Sequence, residues 1–223
     1  MSSAVHITEC GVPGIKSIPY GVHLCHFYDS RQNLIQALVP YFEAGLRNNE
    51  RCIWVTADPL RTTEAKAALR KILPDLDAII EQDRLRVLDS SDWYTTGDSR
   101  LKRKGKDVAS AWLEEERSAL AAGHAGLRIS GNTSFLAAGD WDDFMEYEHA
   151  ASAAFQGRRI VTLCSYGAER SDAIRTLDVV RSHHITLYRT DSSWQVLTSR
   201  ERQPISDPAP TLRPARAACS LRA

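Results

Sequence analysis

The stretch HLCHFYDS, residues 23–30, sets His23, Cys25 and His26 within four positions, and a second thiol, Cys164, stands in the apolar run IVTLCSY. Imidazole and thiol groups ligate borderline metals or pair as a nucleophile with its base. Two more segments carry groups of this kind. GLRISGNTS holds Arg128 and Ser130 ahead of a polar turn, and DWDDFMEYEHA holds Glu146, Glu148 and His149. Three chemistries are therefore open: a metal centre, a Cys164 thiol with His26 or His149 as base, and a polar rim that orients a small ligand.

Spacing narrows the choice. In an extended strand His23, Cys25 and Phe27 point to one face and Leu24, His26 and Tyr28 to the other, so the two imidazoles of HLCH diverge. No CxxC or HxxxH supplies a second ligand pair, although Cys164 would add one ligand if it lay beside Cys25 across a sheet. No metal and no cofactor is expected, and His23 and Cys25 read as packed core groups. A hydrolase elbow, GxSxG, is absent, and a buried strand thiol is ordinarily inert. Glu146, Glu148, Asp142 and Asp143 read most simply as a solvated helix face, with room for one carboxylate to turn inward.

These groups need elements to position them. His23–Tyr28 reads as a strand, and Asp29-Ser30 caps a helix running to about Arg47 with Pro40 inside it. CIWVTA (52–57) is a continuous apolar run of the kind a doubly buried strand shows, and Asp58-Pro59 starts a second helix that ends before Pro74. Strands follow at 85–88, 127–130 and 160–166. Helices are expected at about 107–122, 140–155 and 171–181, and HHITLYRT with SSWQVLTS forms a hairpin turning at Asp191-Ser192. Strand and helix alternate, which predicts an α/β fold: a three-layer, doubly wound, mainly parallel sheet with helices on both faces and an antiparallel C-terminal edge hairpin. Residues 1–21 read as a loosely ordered lead-in lying against the domain, 22–199 as the folded domain, and 200–223 as a disordered tail rich in proline and arginine. Trp93 and Tyr94 read as exposed in a polar loop, followed by the basic stretch LKRKGK (101–106).

In doubly wound sheets ligands sit at the carboxyl ends of the strands. Those ends carry His26 and Tyr28 on the first strand, Arg128 on the fourth, and Cys164 and Tyr166 on the fifth. The first strand–helix junction, HFYDSRQNL, lacks the glycines and lysine of GxxxxGK[ST] and sets Asp29 where a phosphate would lie, which argues against nucleotide hydrolysis of the usual kind. No GxGxxG follows a strand, which argues against a dinucleotide.

Composition narrows the partners and the compartment. The 28 basic and 28 acidic side chains cancel, so neither nucleic acid nor a membrane surface is implied as a direct partner. The five cysteines are odd in number and widely spaced, which fits reduced thiols, and no signal or spanning segment is evident, so a cytoplasmic location is expected.

Taken together, HLCHFYDSRQNLIQALVPYFEAGLRNNERCIWVTADP, GLRISGNTSF, DWDDFMEYE and IVTLCSY resemble the MEDS domain, the methanogen and methylotroph sensory domain, over about residues 20–190. The resemblance implies a sensory fold related to the RecA and KaiC type of ATPase core without its phosphate loop. It also implies recognition of small, hydrocarbon-like compounds, and association with kinase, anti-sigma or DNA-binding output modules. The family positions fall on His26, Phe27, Tyr28, Arg128, Gly131, Tyr147, Glu148, Cys164 and Tyr166. Departures are Asn132 where an acidic residue is expected, Phe135 where tryptophan is usual, and His183-His184 where a histidine-proline pair is expected.

The leading expectation is thus a stand-alone sensory or regulatory domain, not an enzyme. His26, Tyr28, Arg128, Glu148, Cys164 and Tyr166 would bind a small organic ligand at the strand ends. A separate regulator (a histidine kinase, an anti-sigma system or a transcription regulator) would receive the signal, because the tail is too short and polar to serve as an output module. A homo-oligomer is compatible with this reading. The alternatives are a degenerate nucleotide-binding protein or enzyme of RecA/KaiC type, a pure interaction module, and redox sensing through Cys25 and Cys164.

Overall fold

The computed structural model describes residues 6–94, 105–136, 138–190 and 193–198. The basic stretch at 101–104, the turn at Asp191-Ser192 and the tail from 200 onward lie outside the described residues.

Side chains of β-branched and aromatic type in short apolar runs build seven strands into one sheet. β3 (His23–Tyr28), β4 (Glu50–Thr56), β5 (Leu85–Asp89), β6 (Gly126–Asn132), β7 (Ile160–Gly167) and β8 (Ile185–Thr190) run parallel, and β9 (Ser193–Thr198) pairs antiparallel with β8. The order is β5-β4-β6-β7-β3-β8-β9. Every residue of β4 and β6 is buried; the apolar run of β4 predicts this, whereas β6 alternates Leu127 and Ile129 with Arg128 and Ser130, whose polar groups find buried partners. α1 (Arg31–Arg47), α2 (Thr62–Arg70) and α3 (Leu76–Glu81) cover one face, where Leu34, Leu38, Phe42, Ala65, Leu69 and Ile79 join Leu24, Trp54 and Leu163 in one core. α5 (Gly105–Ala121), α6 (Trp141–Ala154) and α7 (Ala173–Ser182) cover the other, where Trp112, Phe144, Ala151 and Val179 pack on Cys25, Ile53, Ile129 and Tyr166. A short turn of helix, α4 (Ser90–Trp93), caps the end of β5. This is the three-layer, mainly parallel arrangement that strand–helix alternation predicts.

Local differences have physical causes. The second helix begins at Thr62 rather than at Pro59, because Leu60 turns back to bridge Ala57 and is buried. Tyr94 is buried rather than exposed, stacked on Phe135, and Trp93 stacks on Trp112. α1 keeps its length through Pro40, and Ser30 caps it by accepting the Asn33 amide at 3.2 Å.

The lead-in is more ordered than its glycines and prolines suggest. β1 (Ile7–Glu9) and β2 (Ser17–Pro19) pair antiparallel, with Thr8, Cys10, Val12 and Ile18 buried. What holds them is a buried ion pair at the amino-terminal end of the sheet. The Arg128 Nε donates to Glu50 Oε2, and both side chains are fully buried. The remaining guanidinium donors reach the carbonyls of Cys10 (2.8 Å), Tyr41 (3.0 Å) and Glu9 (2.7 Å), while Glu50 Oε1 accepts from Thr8 (2.6 Å) and Tyr20 (2.7 Å). Arg128 also lies over the Tyr41 ring, 4.6 Å from its centroid. α1 approaches so closely that a Cβ on Gly45 would stand 2.5 Å from Arg128 Cδ.

Removing one member of such a pair leaves the other charged and buried. Arg128→Met is therefore expected to lower unfolding free energy by about 3–5 kcal/mol, and Arg128→Met with Glu50→Leu to recover part of that loss. Urea denaturation of the three proteins checks this; equal losses in the single and double variants would show that the charges themselves are not the cause.

Candidate functional site

Two polar settings lie on opposite faces of the sheet, one at the strand ends and one buried within the α6 layer. On the α1 side, Tyr28, Asp29, Ser30 and Arg31 from the β3–α1 junction, Asp58-Pro59 after β4, Ser134 after β6 and Gly167–Arg170 after β7 enclose an open cleft of about 310 Å³. No glycine stands in that junction, and Asp29 occupies it with a carboxylate. Asn132 ties three strand ends together. Its Oδ1 accepts from Tyr28 Oη (3.2 Å) and the Ser134 amide (2.9 Å), and its Nδ2 donates to the Asp58 carbonyl (3.2 Å). A carboxylate at this position has no donor for that last bond, which gives the departure from the acidic residue a structural role. A narrow groove adjoins the cleft between Thr133, Trp141, Tyr166, Arg170 and Arg175.

On the α6 side, beneath this groove, four groups converge from separate elements. His23 begins β3, Glu148 lies on α6, Cys164 on β7, and His183 follows α7. His23 Nε2 is 3.2 Å from Cys164 Sγ and 3.2 Å from Glu148 Oε2, and His183 Nε2 is 3.5 Å from the same carboxylate oxygen. One ligand atom from each of the four lies within 4.8 Å of the others, and all four residues are buried. Tyr166 Oη donates to Glu148 Oε1 at 2.9 Å, so the aromatic that lines the groove also holds the carboxylate. Burial pushes the Glu148 carboxyl up to about 8, against the hydrogen bonds from Tyr166 and Cys164 that favour its charge. Burial likewise drives the Cys164 thiol and the Tyr166 phenol well above their ordinary values.

The structure therefore brings Glu148, Cys164 and Tyr166 together, sets Tyr28 at the cleft, and separates His26 and Arg128 from both groups. His26 faces α1, as strand alternation requires, and shares a 2.8 Å hydrogen bond with Asn33 Oδ1. Arg128 lies at the opposite end of the sheet and on the α1 face, its donors taken by Glu50 and backbone carbonyls, so it does not reach the strand-end cleft. Neither His26 nor His149 is the imidazole at Cys164. That position belongs to His23, and His149 Nδ1 bonds its own helix at Met145 O, 2.7 Å. His23 and His183 are the residues sequence reasoning missed. The departure at His183-His184 was the available signal, and the 3.2 Å bond from the His23 amide to His184 Nδ1 shows how the pair is docked.

Two outcomes follow. Asn132→Asp places a carboxylate against the Asp58 carbonyl and is expected to cost about 1–3 kcal/mol, read as a lower urea midpoint with an unchanged slope. Burial holds His26 down to about 4 from its ordinary 6.5, so between those values the unfolded chain binds a proton the folded chain refuses. Stability contributed here is complete above about pH 6.5 and falls by up to about 3 kcal/mol as pH drops to 4. Denaturation of wild type and His26→Gln at a series of pH values checks it: the two curves are expected to converge as pH falls, and parallel curves would contradict it.

The chain has no match among curated proteins. Among solved structures it is similar to a KaiC-like protein from the hyperthermophilic archaeon Pyrococcus horikoshii OT3, with a TM-score of 0.56 and 12% sequence identity, covering 89% of this chain and 91% of that one. That likeness shows the fold, a RecA/KaiC-type sheet, and nothing of its activity. No helix among the described residues is long and apolar enough to cross a membrane. The sequence profile of the family described as MEDS, "MEthanogen/methylotroph, DcmR Sensory domain", matches residues 22–184, which takes in β3 through the histidine after α7, so the chain belongs to the MEDS family of sensory domains.

Proposed function

We propose that this sensory domain takes a small, hydrocarbon-derived organic molecule into the strand-end cleft and groove and reports its presence to a separate regulatory protein. The observation that carries the reading is the character of that cleft. It opens at the carboxyl ends of β3, β4, β6 and β7, where doubly wound sheets receive ligands, yet it has Tyr28, Asp29 and Ser30 where a nucleotide-binding relative needs a glycine loop and a lysine. Tyr28, Pro59 and Ala168 offer apolar contact, and Arg170 offers a cation to a polar end group.

The route outward supports the same reading. Arg170 and Arg175 bracket the start of α7 and line the groove, while His183 at its far end belongs to the buried quartet. Between them Ile174 and Leu177 are 73% and 56% exposed, an apolar stripe suited to a regulator. A ligand that moves the groove wall acts directly on the helix that carries this stripe.

Thermal shift and calorimetry with a panel of short alcohols, aldehydes, organic acids, halogenated alkanes and ATP test this on wild type, Tyr28→Ala and Arg170→Ala. At least one small organic compound is expected to stabilise the wild type, with affinity reduced about 10-fold or more in either variant, and ATP is expected to give no shift. A panel in which ATP alone binds, or in which the variants match the wild type for every compound, would overturn the reading.

A further inference from the structure

We propose that His23, Glu148, Cys164 and His183 form a closed binding site for a divalent first-row transition cation, zinc by its donor set. A tetrahedron with metal–nitrogen and metal–oxygen bonds of about 2.0–2.1 Å and a metal–sulfur bond of about 2.3 Å has edges of about 3.3–3.6 Å. The separations here are 3.2 Å from His23 Nε2 to Cys164 Sγ, 3.2 Å from His23 Nε2 to Glu148 Oε2, and 3.5 Å from His183 Nε2 to Glu148 Oε2. All pairs lie within 4.8 Å, so the 3.2 Å contacts must widen slightly and any longer pair close in to reach ligand spacing.

The surrounding hydrogen bonds fix which ring nitrogen offers its lone pair. Ser152 Oγ donates its single proton to the Ser182 carbonyl at 2.6 Å, so at 2.7 Å from His23 Nδ1 it accepts, and Nδ1 carries the proton. His183 Nδ1 is 2.7 Å from the Val179 carbonyl, which only accepts, so the proton is again on Nδ1. In this tautomer both Nε2 atoms stand near Glu148 Oε2, at 3.2 and 3.5 Å, and His23 Nε2 also meets Cys164 Sγ at 3.2 Å. Oε2 makes no hydrogen bond of ordinary geometry, while Oε1 is held by Tyr166. The carboxylate oxygen, both imidazole nitrogens and the Cys164 sulfur are all within reach of one cation placed among them. Each histidine thus has the outer partner that metal-bound histidines have, and the carboxylate is presented through one oxygen.

Charge and burial point to a divalent ion. With Glu148 ionised and Cys164 as thiolate, a dication makes the site neutral, which a fully buried position demands. Binding releases the thiol proton, and any proton on the carboxylate, to solvent. One thiolate, two imidazoles and one carboxylate form a mixed donor set that suits zinc, and four protein ligands complete its coordination. Cys25, the neighbouring thiol, bonds Thr186 Oγ1 at 3.2 Å and is outside the set. The site joins β3, α6, β7 and the α7–β8 connection, and does not depend on the identity of any molecule in the cleft.

The test uses the full chain, purified without a metal-affinity step, stripped with chelator and titrated with Zn²⁺ or Co²⁺. The expected result is one tightly held equivalent of Zn²⁺. Co²⁺ is expected to give intense tetrahedral d–d bands in the visible and a thiolate-to-cobalt charge-transfer band in the near-ultraviolet. Cys164→Ser is expected to lose the charge-transfer band, Ser152→Ala to weaken Zn²⁺ binding about 10–100-fold, and Cys25→Ser to match the wild type. X-ray absorption of the zinc-loaded wild type, which needs no variant to fold, is expected to show one sulfur at about 2.3 Å and three nitrogen or oxygen atoms at about 2.0–2.1 Å. Failure to retain zinc after desalting, a first shell without sulfur, or a Cys164→Ser cobalt spectrum identical to the wild type would overturn the proposal and leave shared protons as what holds the quartet together.

Discussion

β3 is buried on both faces, and yet two of its six side chains are imidazoles; each needs a polar partner delivered by the layer it faces. That requirement organises much of the molecule. Toward α1, His26 is met by Asn33 in the first turn of the helix that follows it, a local answer seven residues away. Toward α6, His23 is met by Ser152, Glu148 and Cys164, more than a hundred residues on. Parallel pairing sets Cys25 opposite Cys164 and His26 opposite Ser165, so the register of β3 on β7 decides which thiol meets which ring.

The two faces of the sheet solve the problem of buried charge differently. On the α1 face Arg128 and Glu50 are oppositely charged and surrounded by complementary groups from β1, Cys10, Tyr20 and α1, and the guanidinium stays charged despite burial. On the α6 face the quartet gathers two imidazoles and a thiol around one carboxylate. The first arrangement is complete within the protein and fastens the lead-in to the domain. The second has room for chemistry.

Element order, the parallel sheet and the edge hairpin were legible because apolar runs, caps and breakers are local signals, and all strands of the main sheet fall where those signals lie. The two-stranded sheet of the lead-in was not, since its order comes from Arg128, which only the fold brings beneath it. Arg128 itself shows the limit of reading a strand end from position alone. It is the third residue of β6, close to where the strand enters the sheet, and a guanidinium there meets backbone carbonyls rather than a pocket. That Cys164 lies beside Cys25 was only a condition until the order of β3 and β7 was known, but alternation did separate His23 from His26. It had no means to place His183, which arrives from a helix end 160 residues after His23 and pairs with a carboxylate on a different helix.

Gly45 carries a consequence for how sequences of this kind can drift. Its missing side chain leaves the space that the Arg128 stem and the Cys52 sulfur fill, and a Cβ would stand 2.9 Å from that sulfur as well as 2.5 Å from Arg128 Cδ. Positions 45, 52 and 128 therefore share one volume although 128 is distant along the chain from the other two. A relative that replaces the arginine by a shorter residue is free to carry a larger one at 45, and a relative that keeps the arginine is held to glycine. Substitution at these sites should travel together through a lineage as a single unit of change.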